Sequence, residues 1–339
     1  MSGKVLHILS QRPGRTGSGV TLDALVRQAE SAGWVQRALV GVPADEKRPE
    51  VGGLDPELVA RVTFGRDGAD LPFPVPGMSD VMPYPSTVWS GMTSGELDLY
   101  RNIWRDRISN AVEEFQPDVI HTNHLWLVSS LVPDAASGVP VAAACHATGL
   151  RQMELCPGLK EEVVRGCRRL DRFVVLRNDH RDQVAEVLGV ERARITVAGA
   201  GYRDELFHPG PAPAPKDQIL YVGKFSDAKG LPWLLDAVAS LAERHPGLRF
   251  HVAGGGSGDE ADALRSRMVK MDEVVMHGML GQPDLADLMR GCGVCVLPSF
   301  YEGVPLVLVE AAACGCRIVA TDLPGVREQI APALGGNID

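Results

Sequence analysis

Two glutamates, Glu302 and Glu310, are separated by seven residues in the stretch Pro298–Thr321, PSFYEGVPLVLVEAAACGCRIVAT. The segment between them is apolar, and a carboxylate in such a setting costs free energy unless a partner satisfies it. A capping role for Glu302 and a core ion pair for Glu310 would be purely structural solutions. The combination of two acids, a turn glycine and a helix start also suits a ligand. Unpaired N–H groups at a helix N-terminus bind phosphate. Glu302 would then meet a polar group at one end of such a ligand, and Glu310 a pair of hydroxyls at the other.

The elements that must position these acids are legible around them. Gly293–Ser299, GVCVLPS, reads as a buried strand. A turn follows at Glu302-Gly303, then a helix from about Pro305 that stops at Gly315, then a strand at Arg317–Thr321. Earlier, the strand Gln218–Phe225 carries Lys224 near its end, with Lys229 and Gly230 beyond it, before a helix at Leu231–Arg244. Three histidines, His121, His124 and His146, lie at the ends of strands predicted over 117–122 and 139–146. In an open parallel sheet the ligand crevice lies beyond the carboxyl ends of the strands. Near the N-terminus, a strand at Lys4–Ser10 leads into a loop at 11–19 with Gly14, Gly17 and Gly19, and then into a helix over 20–32. Strand, glycine loop and helix can cradle a phosphate, although the spacing fits neither the dinucleotide fingerprint nor the P-loop, and a plain turn is an equal reading.

At these residues the chain resembles the retaining nucleotide-sugar glycosyltransferases of the GT-B fold, the large family four. The spacing is that family's E-x7-E, and PSFYEGVPLVLVEAAACGCRIVATDLPGVRE is similar to it over about thirty residues. YVGKFSDAKGLPWLLDAV resembles its second signature, with Lys224 where arginine is commoner and Lys229 before a glycine. The resemblance implies that Glu310 and backbone groups of Gly303, Leu306 and Val307 hold the nucleotide end of the donor. It further implies that Glu302 and His146 approach the sugar, that Lys224 and Lys229 neutralise the diphosphate without a metal, and that Gly17 and Gly19 lie against the phosphates. Two departures stand out. Pro305, which has no N–H, occupies a position where many members have glycine, and AGAGYRDELFHPG lacks the family's asparagine.

The 339 residues suggest two domains of ordinary size. The expected division is 1–207 for an acceptor-side domain, 208–217 for a proline-rich linker, and 218–339 for a donor domain whose C-terminal end is truncated relative to the family. The expected fold class is α/β, two doubly wound Rossmann-like domains facing a cleft. A net charge of −9 argues against a nucleic-acid partner. No apolar run approaches a membrane span, which leaves peripheral membrane contact open, and the expected location is the cytoplasm. Seven cysteines form a poor disulfide framework, and CxxC at 292–295 followed by CxC at 314–316 reads as small buried thiols rather than zinc ligands. The long loop 66–94 shapes an acceptor pocket or is a surface excursion. The expected activity is sugar transfer from a nucleoside-diphosphate donor, a UDP-sugar, to an unknown acceptor with retention. Two alternatives are a nucleotide-sugar epimerase of the same fold and a non-catalytic nucleotide-binding fragment.

Overall fold

The computed structural model describes residues 3–330, with the exception of Arg15, Asp67, Asp80, Val81 and Pro83. The expected truncation at the C-terminus concerns residues outside that range. The chain divides into two compact units, Met1–Ala198 and Gly199–Asp339.

In the first unit the order is β1 (Lys4–Leu9), α1 (Gly17–Ser31), β2 (Val35–Pro43), β3 (Val59–Phe64), α2 (Ser94–Phe115), β4 (Val119–Asn123), α3 (Leu127–Ala135), β5 (Val141–Cys145), α4 (Thr148–Leu155), α5 (Pro157–Cys167), β6 (Arg172–Val175), α6 (Asn178–Leu188) and β7 (Ile195–Val197). The strands form one parallel sheet, β3-β2-β1-β4-β5-β6-β7. Alternate strand residues enter different cores. Leu6, Ile8 and Leu39 join a large cluster with Tyr100, Trp104 and Trp126, whereas Leu9, Ala38 and Val40 pack with Leu22 and Val26 of α1. Apolar residues on both faces are what a covered parallel sheet requires. Thr93 and Glu96 form a reciprocal capping box that starts α2.

The second unit contains β8 (Gln218–Lys224), α7 (Leu231–Arg244), β9 (Arg249–Gly255), α8 (Asp259–Met268), β10 (Val274–Gly278), α9 (Gln282–Arg290), β11 (Val294–Leu297), α10 (Leu306–Ala313), β12 (Arg317–Ala320) and α11 (Pro324–Gln329). Its sheet is also parallel, ordered β10-β9-β8-β11-β12. In each sheet the winding reverses once, between β1 and β4 in the first and between β8 and β11 in the second. Loops leaving the carboxyl ends of those strands therefore diverge and leave room for a ligand.

The compact units divide at residue 199, earlier in the chain than the expected boundary after 207, since Phe207 is buried in the second core and Arg290 Nη1 donates to the Leu206 carbonyl at 2.7 Å. The proline-rich stretch 208–217 goes with the second unit as well. The Pro215 carbonyl lies where a side chain on Gly293 would begin, so that glycine allows the stretch to press against the start of β11.

Candidate functional site

The reversal point of the second sheet gathers the residues that the sequence singled out. Lys224 ends β8, and Lys229 lies in the short helical turn Asp227–Lys229 that follows it. Glu302 lies in the loop after β11. Lys229 Nζ donates to Glu302 Oε1 at 2.5 Å, and both side chains are mostly buried. The two loops are also joined through backbone, since the Phe300 N–H donates to the Ala228 carbonyl at 3.0 Å. Gly230, with φ +69, lets the Pro298 carbonyl come within 2.1 Å of the position a Cβ would take. Any side chain there would force the loops apart.

Burial, and after it the positive charge of Lys229, holds the Lys224 amine below its ordinary range. Tyr221 anchors this strand end by donating its hydroxyl to the Lys224 carbonyl at 2.6 Å. Its own ionisation is pushed up by burial and then by the charge of Glu302. Tyr221 does not stand out in the sequence. An aromatic residue three positions before the strand's last lysine was the available signal.

Pro305, with extended backbone, is the N-cap of α10. Its carbonyl accepts from the Leu308 N–H at 2.9 Å. Leu306 and Val307 occupy the first two helical positions, whose N–H groups have no intrahelical acceptor. The missing proline N–H is thus lost outside the helix proper. Glu310 lies in the second turn, and burial pushes its carboxyl up to about 7. Gly303 lies in the loop between β11 and α10 with open space around it. At the root of that loop, the fully buried Ser299 hydroxyl lacks a partner among the described residues, a feature not legible in the sequence.

The remaining predicted residues lie in the first unit. Gly17 and Gly19 were expected in a loop, but they occupy the first turn of α1. Thr16 is the N-cap and its hydroxyl accepts from the Gly19 N–H at 3.3 Å, so the helix starts earlier than its apolar residues suggest. Gly19 is needed for packing, because an added Cβ would lie 2.6 Å from the Gly14 nitrogen. Gly17 has no neighbour that a Cβ would meet within 4 Å. His146 follows β5. Its Nε2 is 3.0 Å from Asn123 Oδ1, and burial lowers its pKa to about 4. His124 follows β4 with φ +67, its ring 5.0 Å from that of His146. His121 faces inward and pairs with His7, Nδ1 to Nδ1, at 3.1 Å, which fits a packing role.

Among the described residues no group of three histidines, cysteines or acids is placed to hold a metal ion. All seven cysteines are buried free thiols. No helix among the described residues is long and apolar enough to cross a membrane.

The family model described as Glycosyltransferase Family 4 matches residues 17–206, more than half of the chain, and one described as Glycosyl transferases group 1 matches residues 216–336. The chain belongs to this glycosyltransferase family. A D-inositol 3-phosphate glycosyltransferase of Nocardiopsis dassonvillei is 30% identical over 249 residues, covering 65% of this chain and 58% of that protein. A glycogen synthase of Mycobacterium tuberculosis is 30% identical over 230 residues, covering 64% of this chain and 55% of that protein. The chain thus spans a little over half the length of these relatives. A sucrose-phosphate synthase of Thermosynechococcus elongatus superposes with a TM-score of 0.69 at 19% identity, covering 96% of this chain and 82% of that one. The fold is the GT-B type, built from two parallel-sheet α/β units.

Proposed function

We propose that this chain binds a nucleoside-diphosphate sugar and transfers the sugar to an acceptor with retention of configuration. The observation that carries the reading is the convergence of Lys224, Lys229, Glu302 and the N-terminus of α10 at the reversal point of one sheet. Two ammonium groups and two N–H groups without intrahelical acceptors there suit a diphosphate. Glu310, one turn into α10, suits the vicinal hydroxyls of a ribose, and Glu302 suits a sugar hydroxyl. In the reaction, the bond from the anomeric carbon to the diphosphate breaks. The acceptor oxygen bonds to that carbon on the same face, and its proton passes to a departing phosphate oxygen. Lys224 and Lys229 would stabilise the charge that develops on the leaving group, an electrostatic contribution. They would do so without a divalent ion.

A UDP-sugar is the proposed donor, a choice that rests on the family resemblance. The two named relatives differ in activity, so they assign no acceptor to this chain. The proposed setting is the cytoplasm. The test is incubation of the purified protein with a panel of sugar nucleotides, with and without candidate acceptors. Acceptor-dependent release of nucleoside diphosphate, with the anomeric configuration kept in the product, supports transfer. Conversion of the sugar nucleotide without any acceptor would support an epimerase instead, and binding without turnover a nucleotide-binding fragment.

A further inference from the structure

Two exposed aromatic side chains meet at the carboxyl end of the second sheet. Trp233 lies in the first turn of α7 and Phe300 in the loop after β11, and they are 52% and 61% exposed. Their ring centroids are 5.0 Å apart with the planes at 79°, an edge-to-face pair. The backbone beneath them is fixed. The Phe300 N–H donates to the Ala228 carbonyl at 3.0 Å, and Gly230, three residues before Trp233, lets the Pro298 carbonyl close in. Single exposed apolar residues are ordinary, but two rings packed together on a fixed backbone form a contact surface.

The polar groups beside the rings narrow what fits there. Asp236 follows Trp233 by three residues, which makes the two neighbours on the surface of α7. Its carboxylate accepts from Arg267 Nη2 at 2.5 Å, and Arg267 Nη1 donates to the Pro232 carbonyl at 3.1 Å. An ion pair thus flanks the rings, with N–H donors and oxygen acceptors but no net charge. An acyl chain would strip water from that pair without replacing its hydrogen bonds. An anionic headgroup finds no surplus cation in it, and the chain's net charge of −9 repels such a surface. A stable interface with another protein needs about 800 Å² per partner, whereas two half-exposed rings supply roughly 200 Å². A sugar ring suits both parts of the surface. Its polarised C–H face lies against the negative face of an aromatic ring, and its hydroxyls both donate and accept.

We propose that Trp233 and Phe300 form a platform on which the second unit binds a neutral oligosaccharide, one sugar ring stacked on the aromatic surface and its hydroxyls meeting Asp236 and Arg267. The platform uses none of Lys224, Lys229, Glu302 or Glu310, and it needs no residue of the first unit. The inference therefore goes beyond the donor reading and stands or falls apart from it. Phe300 precedes Glu302 by two residues, so an occupied platform adjoins the loop that carries that acid.

Calorimetric titration of the full chain with maltoheptaose, cellohexaose and chitohexaose tests the inference, with UDP titrated in parallel. The wild type should bind at least one of the three oligosaccharides. Trp233→Ala should weaken that binding about tenfold, Phe300→Ala should weaken it less, and Trp233→Phe should keep most of it. UDP affinity should be equal in all four proteins. If UDP binds none of them while Trp233-dependent oligosaccharide binding persists, the donor reading fails and the platform stands. Nitrogen-15 NMR of the wild type gives a second readout, which decides the matter even if Trp233→Ala fails to fold. The Trp233 indole N–H signal should shift when the oligosaccharide is added, while those of the buried Trp89, Trp104 and Trp126 stay in place. Failure to bind any of the three oligosaccharides, or binding that leaves the Trp233 signal unmoved, would overturn the inference. So would Trp233-dependent capture by phosphatidylcholine–phosphatidylglycerol vesicles, or Trp233-dependent dimerisation, in place of oligosaccharide binding.

Discussion

Lys229 Nζ lies 2.5 Å from Glu302 Oε1, and the two residues are 73 positions apart in the chain. In the proposed function they meet different parts of one donor, the lysine its diphosphate and the acid its sugar. Without a ligand each satisfies the other, so binding must exchange this ion pair for contacts to the donor. Glu302→Gln would leave Lys229 without its counter-charge. UDP should then bind as tightly as to the wild type, or several-fold more tightly, while transfer falls. Lys229→Met should weaken UDP, and the two changes should not add, with a coupling of about 0.5–3 kcal/mol. Calorimetric titration of the two single variants and the double variant measures this. Equal loss of UDP affinity in both single variants would mean that the pair merely supports the loop.

Glu310 makes opposite demands on folding and binding. Its carboxyl is held at about 7 in the folded chain, above its ordinary value of 4.5. The unfolded chain therefore ionises first, and this group's contribution to stability falls as pH rises from about 4.5 to about 7. Glu310→Gln should be more stable than wild type at pH 8, and the advantage should shrink at pH 5. Urea unfolding at the two pH values reads the difference. The same variant should lose about ten- to a hundredfold in UDP affinity at pH 8, where the wild type offers a carboxylate to the ribose.

Much of the second unit was legible in the sequence because its chemistry sits at strand ends marked by glycine and proline. The strand before Lys224, the helix from Leu231 to Arg244 and the turn before α10 lie close to where the pattern put them. The pairing of Lys229 with Glu302 was not legible, since only the adjacency of β8 and β11 brings the two loops together. Asn123 escaped for the same reason, as its anchor at Ile8 is 115 positions away. The start of α1 was missed because Thr16 caps a turn whose glycines argue against a helix. α3 was not picked out either. It is apolar nearly all round and holds Pro133, so it shows little helical periodicity.

Buried histidines give the first unit a predictable acid sensitivity. His7 and His124 are each 3% exposed, and burial lowers both pKa values below the ordinary 6.5. Below about pH 6.5 the unfolded chain takes up protons that the folded chain refuses, so stability drops as pH falls. The slope is about 1.4 kcal/mol per pH unit for each such histidine. His124→Asn removes one of these groups at a left-handed position that asparagine tolerates. Denaturant unfolding from pH 7 to 5 should show a shallower decline in this variant than in wild type.

Gly17 and Gly19 should respond differently to a methyl group. At Gly19 a Cβ would clash with the backbone of Gly14 and Pro13, so Gly19→Ala should cost about 1–3 kcal/mol. At Gly17 there is open space, and Gly17→Ala should be neutral or stabilising by up to about 1 kcal/mol. Thermal unfolding of both variants checks the contrast, and similar losses in the two would refute the packing role assigned to Gly19.

The central claim is that the reversal point of the second sheet holds a nucleoside diphosphate by its own cations and helix N–H groups. Calorimetric titration with UDP in the presence of chelator tests it most directly, using wild type, Lys224→Met and Lys229→Met. The account predicts binding by the wild type without any divalent ion, and a loss of about ten- to a hundredfold in each lysine variant. Binding that needs added magnesium or manganese, or that survives unchanged in both lysine variants, would contradict it.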